Sequence, residues 1–361
     1  MRILLTTCLL LPAMGAWSQV AFQSMVVRTS DGHAHSFDVS EVDSVTFSQL
    51  GSVQGNRWYH LLENPGVADY LRDFEYDASD YTYHRIFDYR GEPYFDARQD
   101  WPYGVTLGDT TYYNLLPNKT YKLPYVSRDT TRMVTIQTLG QLRMIRAEGI
   151  DNVRDLGGWP TSDGRHLLYG KIYRGTEMNT RSDTSGSLSS HQVTEADKRL
   201  LLDELKISAE LDLRSTQENP TPGVSALGSS VYYANYNISY IDINDAANQQ
   251  LMVNCLRFIV AQLTFKRPIY IHCVWGADRT GVLCMLLEGL LGMSQSDLDK
   301  EYELTSFSGN TRYRNNSNYM SALSSVKQQP GATLQKKFIN WWLHAGATQE
   351  EINILWREMK Q

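Results

Sequence analysis

The stretch from residue 267 to 281, Arg-Pro-Ile-Tyr-Ile-His-Cys-Val-Trp-Gly-Ala-Asp-Arg-Thr-Gly, leaves this chain the fewest folding choices. Its apolar run, Ile269 to Ile271, is too short for a helix and reads as a buried strand. The strand stops at His272-Cys273. Gly276 permits a backbone of positive φ, and Val282 to Leu291 is long and apolar enough for a buried helix. A strand that feeds a helix through a tight loop turns the loop amides toward one point. The positive end of the helix faces the same point, so the expected product is an anion cradle.

A thiol at the mouth of such a cradle shifts toward thiolate, because the loop stabilises the anion more than the neutral form. Cys273 is therefore the candidate nucleophile. Arg279 supplies a planar fork for two phosphate oxygens, and the Thr280 hydroxyl is placed to donate to the sulfur. The expected chemistry is attack of Cys273 on a phosphate ester, giving a cysteinyl-phosphate that water then hydrolyses. Val274, Trp275, Gly276, Ala277, Thr280 and Gly281 are the candidates for contact with the bound phosphoester. Trp275 either stacks on a ring of the substrate or packs under the loop. His272 is expected to stand behind the nucleophile and orient the loop.

Met1-Arg2, apolar Ile3 to Met14 and Ala16-Trp17-Ser18 read as a signal peptide over residues 1–18. The expectation is an exported protein, periplasmic or extracellular. No stretch is long enough to span a membrane as a helix. Beyond Cys8 only Cys255, Cys273 and Cys284 remain, too few for a disulfide framework. Cys255 and Cys284 fall in apolar helical patterns and read as core. With 34 basic and 40 acidic residues the net charge is −6, which gives no general attraction to nucleic acid.

Residues 19–56 read as a β-hairpin segment and linker, with strands Val20 to Arg28 and Ala34 to Val39 about a Ser30-Asp31-Gly32 turn and a further strand at Val42 to Phe47. Residues 57–147 are dense in Tyr and Trp and alternate short β runs with turns. They fit a small all-β module, similar to immunoglobulin or fibronectin-III domains through Leu116-Pro117-Asn118-Lys119-Thr120-Tyr121. Such a module would contact a partner or glycan, or simply shield the rest. From 148 to 361 strands and helices alternate, which implies a parallel-rich sheet flanked by helices, with its site at the carboxyl ends of the strands. Thr194 and Asp197 are placed to cap a helix running to about Leu205, and two amphipathic helices, Leu334 to Leu343 and Glu350 to Met359, close the chain.

Three segments in this last region carry a resemblance: Asn152-Val153-Arg154-Asp155-Leu156-Gly157-Gly158, then Asp212-Leu213-Arg214-Ser215, then His272-Cys273 with Arg279-Thr280-Gly281. In this order they resemble the bacterial branch of the protein tyrosine and dual-specificity phosphatase superfamily. The resemblance implies the α/β cysteine-dependent phosphatase fold, a phosphorylated protein or small phosphoester as substrate, and no metal or cofactor. It makes Cys273 the nucleophile and Arg279 the phosphate binder. The diglycine motif is expected mainly as scaffold at the site edge, with Arg154 and Asp155 also candidates for substrate contact. Arg214 is a candidate for either an ion pair or substrate.

The general acid stays open among three residues. Asp278 matches an Asp characteristic of that branch. Asp242 and Asp245 lie about thirty residues upstream of Cys273, where the wider superfamily carries its acid. The loop contains no lysine, and Ala277 stands where relatives commonly carry one, so a phosphotyrosine-type monoester is expected over an inositol phosphate or phosphoinositide. Arg312, Tyr313 and Arg314 either restore positive charge above the loop or stay solvated. A silent phosphate-binding or adhesion protein is the alternative of another class.

Overall fold

A computed structural model describes residues 104–138, 143–180, 191–238, 241–308 and 312–360, together with five short strands before them. The leader, the Val42 to Phe47 strand and the Ser-rich stretch at 181–190 lie outside the described residues. The chain divides into two compact units, residues 1–54 and 55–361. In the first, β1 (Ser24–Arg28) and β2 (Ala34–Asp38) pair antiparallel, Ser24 opposite Asp38, as the Ser-Asp-Gly turn predicts.

The second unit begins with strands β3 (Tyr59–Leu61), β4 (Arg85–Phe87), β5 (Pro93–Asp96), β6 (Gly104–Leu107), β7 (Thr110–Tyr113), β8 (Thr120–Ser127) and β9 (Thr130–Thr138). They form a three-stranded antiparallel sheet, β3-β9-β8, and two separate hairpins, β4-β5 and β6-β7. Val105 and Leu107 pack against Val134 and Ile136, with Tyr112, Tyr121 and Tyr125 around them. Among the described residues these strands do not compose the two facing sheets of an immunoglobulin-like sandwich.

The main sheet has six strands in the order β10-β11-β12-β15-β13-β14. These are β10 (Arg143–Met144), β11 (Arg154–Asp155), β12 (Ile172–Gly175), β13 (Ala209–Asp212), β14 (Tyr232–Asn235) and β15 (Ile269–His272). Strands β12, β15, β13 and β14 run parallel, and β10 and β11 form an antiparallel edge. Side chains alternate across the parallel strands. Ile172, Ala209, Leu211, Ile269 and Ile271 face the larger core, and Tyr173 and Tyr270 face a second core with Leu200, Leu201 and Ile207. A sheet buried on both faces explains why the central strand reads as an unbroken apolar run.

Seven helices are described. Helix α1 (Glu195–Lys198) carries a capping box in which Thr194 accepts from the Asp197 amide and Asp197 accepts from the Thr194 amide, and it continues into a π-helical turn to Glu204. Helices α2 (Ala246–Thr264), α3 (Asp278–Leu291), α4 (Gln295–Glu303), α5 (Ser317–Lys327), α6 (Leu334–Ala345) and α7 (Gln349–Met359) follow. Helix α3 is buried on nearly every side, so its sequence shows little amphipathic pattern. No described helix is long and apolar enough to cross a membrane. The register aligns Gly175, His272, Asp212 and Asn235 at the carboxyl ends of the four parallel strands, so the loops that follow them meet on one edge.

Candidate active site

The loop from Cys273 to Ala277 is held by its carbonyl groups. Val274 O accepts from the Glu177 amide at 3.0 Å. Asn152 Nδ2 donates to Trp275 O at 3.1 Å and to Gly276 O at 3.2 Å. Arg174 Nη2 donates to Gly276 O at 2.6 Å and to Ala277 O at 3.3 Å. In a trans peptide the N–H points opposite to the C=O. Four successive carbonyls tied into the protein body therefore turn the amides of Trp275, Gly276, Ala277 and Asp278 to the other side, which is the geometry of an anion nest. The loop runs directly into α3, where Ala277 offers no capping side chain to the first-turn amides. Each of the other helices of nine or more residues begins with a side-chain cap.

Gly276 has φ +59°, and a Cβ there would lie 2.0 Å from the Gly175 carbonyl oxygen. Backbone meets backbone, so no side chain can move aside. Gly276→Ala should displace the loop and lower kcat/KM by at least about 100-fold, with most of the loss in kcat. Steady-state kinetics beside a thermal melt will separate this from unfolding, and near-wild-type turnover would show that the loop tolerates the shift.

Cys273 sits at the start of this loop, 3% exposed. Burial pushes its thiol up, but the Arg279 charge and hydrogen bonds from the Thr280 hydroxyl and amide outweigh burial, and the net shift is down. The Thr280 hydroxyl is buried with no oxygen or nitrogen partner, which leaves it to the sulfur. Cys255 and Cys284 are buried free thiols, and desolvation pushes both up. Arg279 is fixed by Glu218, with Nη1 and Nη2 donating to its two oxygens at 2.7 and 2.8 Å. Glu218 in turn accepts from the Ser215 amide and hydroxyl.

His272 lies behind the nucleophile, fully buried. Its Nε2 is 3.0 Å from Glu210 Oε1 and its Nδ1 is 3.2 Å from the Cys273 carbonyl. Burial pushes the imidazole down, yet the Asp212 charge and the Glu210 hydrogen bond prevail and raise it. Glu210, Asp212 and His272 offer ligand atoms within 4.8 Å of one another. All three are already engaged, Glu210 with Ser225 and His272, and Asp212 with Arg214, Asn219 and Tyr233. The donor set is that of an ion-pair network and does not call for a metal.

Several residues expected to touch substrate do other work. Arg154 is 1% exposed and pairs with Glu301 at 2.6 Å, while its Nη1 holds the Asn152 side chain. Asp155 is buried, accepting from the Gly157 and Gly170 amides and from Arg143. Arg214 is 1% exposed and is consumed by Asp212, Glu177 and Asn179. These three are bound up in ion pairs beneath the loop, because burial at such depth requires that each charge be paired. Gly281 is also below the cradle. It lets α3 approach Tyr302, whose ring a Cβ would meet at 2.8 Å. Val274 and Trp275 are half-buried on the loop, and the Trp275 ring packs edge-to-face on His191 at 5.2 Å. Thr280 and Ala277 are fully buried.

The three candidate acids separate. Asp245 caps α2, accepting from the Asn248 amide. Asp242 turns back on the Asn244 amide. Asp278 stands in the cradle itself, at the first turn of α3, bound by Arg312 and by the Tyr302 hydroxyl. Sequence reasoning missed Arg174, Glu218 and Glu301 as parts of the site. Arg174 lay inside a strand already recognised, and its placement just before Gly175 at the strand's carboxyl end was the available signal. Glu218, three residues beyond the Asp-Leu-Arg-Ser motif, and Glu301 carried none.

The tyrosine phosphatase family model matches residues 145–345. Among solved structures the chain is similar to the core catalytic domain of the PP-IP phosphatase SIW14 from S. cerevisiae in complex with citrate. That pair shares 19% identity over 47% of this chain and 91% of that one, with a TM-score of 0.31. It is also similar to P. aeruginosa TpbA, at 16% identity over 49% of this chain and 91% of that one, with a TM-score of 0.32. No curated protein matches the chain by sequence. The family match takes in more than half of the chain, from the edge of the main sheet through the Cys273 loop to α6. By that match the chain belongs to the tyrosine phosphatase family and is a cysteine-type hydrolase of phosphoric monoesters.

Proposed function

We propose that this protein is an exported phosphatase whose substrate is a phosphotyrosine-type monoester on a protein, with Cys273 as nucleophile. The thiolate attacks phosphorus, the S–P bond forms, and the ester O–P bond breaks. Asp278 gives a proton to the departing oxygen. Water then attacks the cysteinyl-phosphate, Asp278 takes its proton, and inorganic phosphate leaves with the thiolate restored. Arg279, held planar by Glu218, binds two of the phosphate oxygens throughout. The observation that carries this reading is the loop whose four carbonyls are tied outward around a thiol shifted toward its anion. Asp278 is preferred as the acid because it stands in the cradle at the first turn of α3, whereas Asp245 caps α2 and Asp242 bonds within its own turn.

Charge balance at the cradle supports a single phosphate group over a polyanion. Arg279 is matched by Glu218 and Arg312 by Asp278, so among the described residues these cations at the mouth are balanced by carboxylates. The leader at residues 1–18 supports export, and the β-rich segment is free in this reading to contact a protein or glycan partner. A turnover panel of phosphotyrosine, phosphoserine and phosphothreonine peptides with soluble inositol phosphates tests the substrate. The expected result is a kcat/KM on phosphotyrosine peptides at least about tenfold above the others. A preference for an inositol phosphate would replace this reading with the polyanionic one.

A further inference from the structure

Arg312 lies beyond α4 and reaches back to the cradle. Its Nε and Nη2 donate to the two Asp278 oxygens at 2.7 and 2.7 Å, and the Tyr302 hydroxyl donates to Oδ1 at 3.0 Å. Unlike the pairs under the loop, this one is open. The Arg312 and Asp278 side chains are 21% and 27% exposed, against 2% or less for Arg154, Arg174 and Glu301. Asp278, to which Arg312 is bound, contributes its own amide to the cradle at the start of α3, so a phosphate bound there arrives beside this guanidinium.

The pair poses a chemical conflict. With Oδ1 accepting from Arg312 and Tyr302 and Oδ2 accepting from Arg312, the Asp278 carboxylate is held toward the guanidinium and is not free to swing to a leaving group. Resting on the cradle reading above, we propose that Arg312 is an anion-binding residue that passes from Asp278 to the substrate phosphate, so that Asp278 is released for proton transfer only when substrate is bound. A phosphate dianion carries twice the charge of the carboxylate and presents several oxygens to the same planar fork. Its negative charge also weakens the hold of the ionised carboxylate on its place. The side chains bonded to Asp278 are Arg312 and Tyr302, and Arg312 alone donates a two-pronged bond to it. Arg279 does not behave in the same way, because Glu218 is itself anchored by Ser215.

Binding of inorganic phosphate to the full chain, measured by calorimetry, tests the exchange without requiring turnover. Four proteins are compared: wild type, Asp278→Asn, Arg312→Ala and the double variant. Asp278→Asn should tighten phosphate binding about tenfold by releasing Arg312 from that carboxylate, and Arg312→Ala should weaken it about tenfold. In the Arg312→Ala background Asp278→Asn should tighten binding by no more than about twofold, since only the removal of a like charge remains. Arg312→Lys, which keeps the charge and loses the fork, should recover part of the affinity, and thermal melts will confirm that each variant is folded. Unchanged phosphate affinity in folded Arg312→Ala, or equal tightening by Asp278→Asn in both backgrounds, would leave Arg312 as a fixed clamp and overturn the proposal. A folded wild type that binds no phosphate would overturn the cradle reading itself.

Discussion

Cys273→Ser should fold normally and lose at least about 10⁴-fold of turnover on every phosphomonoester. The substitution is nearly isosteric at a site 3% exposed, so melting should change little. The chemistry changes completely. The cradle lowers the thiol, with Arg279 and Thr280 acting against burial. A hydroxyl starts far higher, and the same forces do not ionise it at neutral pH. The same balance sets the acid side of the wild-type pH profile. Because the folded thiol lies below its ordinary value of 9.0, the thiolate persists to lower pH than in a free cysteine. Activity should therefore fall only as pH drops through that depressed value. Alkylation of Cys273 by iodoacetamide against pH reads the same transition directly. Retention of turnover by the serine variant would remove Cys273 from the mechanism, and a transition no lower than that of free cysteine would remove the cradle's effect on it.

The second large effect lies beneath the loop. Glu301→Ala should destabilise the protein by about 3–5 kcal/mol, and the melting temperature should fall by roughly 10 °C. Glu301 accepts from Arg154 Nε at 2.6 Å and from Arg174 Nη1 at 2.7 Å, and all three side chains are buried. Without it two guanidinium groups remain in the interior with no facing carboxylate from α4. Glu288 on α3 is the nearest substitute. Both of its oxygens are buried without a partner, and burial followed by repulsion from Glu301 holds its carboxyl well above the usual range. Removing Glu301 relieves that repulsion, so ionised Glu288 recovers part of the loss. Denaturant melts of Glu301→Ala, with and without Glu288→Gln, will show it. The double variant should be less stable than the sum of the single changes, and strict additivity would exclude the substitution of one carboxylate for the other.

What was legible in the sequence was whatever is contiguous. The strand, the loop, Cys273, Arg279 and α3 follow one another within about twenty residues, so local pattern sufficed. The cap at Thr194 was readable for the same reason. Arg154 and Arg214 were visible as motif residues, but the sequence left open whether they face substrate or a counter-charge. Burial decides that, and their partners Glu301 and Glu177 lie at distant positions. The spacing of Asp245 was right for an acid in related enzymes, yet a carboxylate just before a helix also satisfies the first-turn amides, and here the local bond prevails. Helices α4 and α5 escaped notice because polar residues interrupt their apolar faces. The sandwich expected for residues 57–147 falls in part outside the described residues, and alternating strands name a sheet while leaving open which strands share it.

The supports of the cradle have a consequence for the order in which the protein can be assembled. Asn152 and Arg174 precede the nucleophile by about a hundred residues, while Glu301 and Thr305, which hold them, come after it. A growing or threading chain that has released Cys273 but not α4 possesses the reactive thiol without the floor that shapes its loop. Residues 152 to 305 must therefore all be present before the thiol's loop has its full set of supports, so a chain cut short before α4 would carry Cys273 and Arg279 without the floor beneath them.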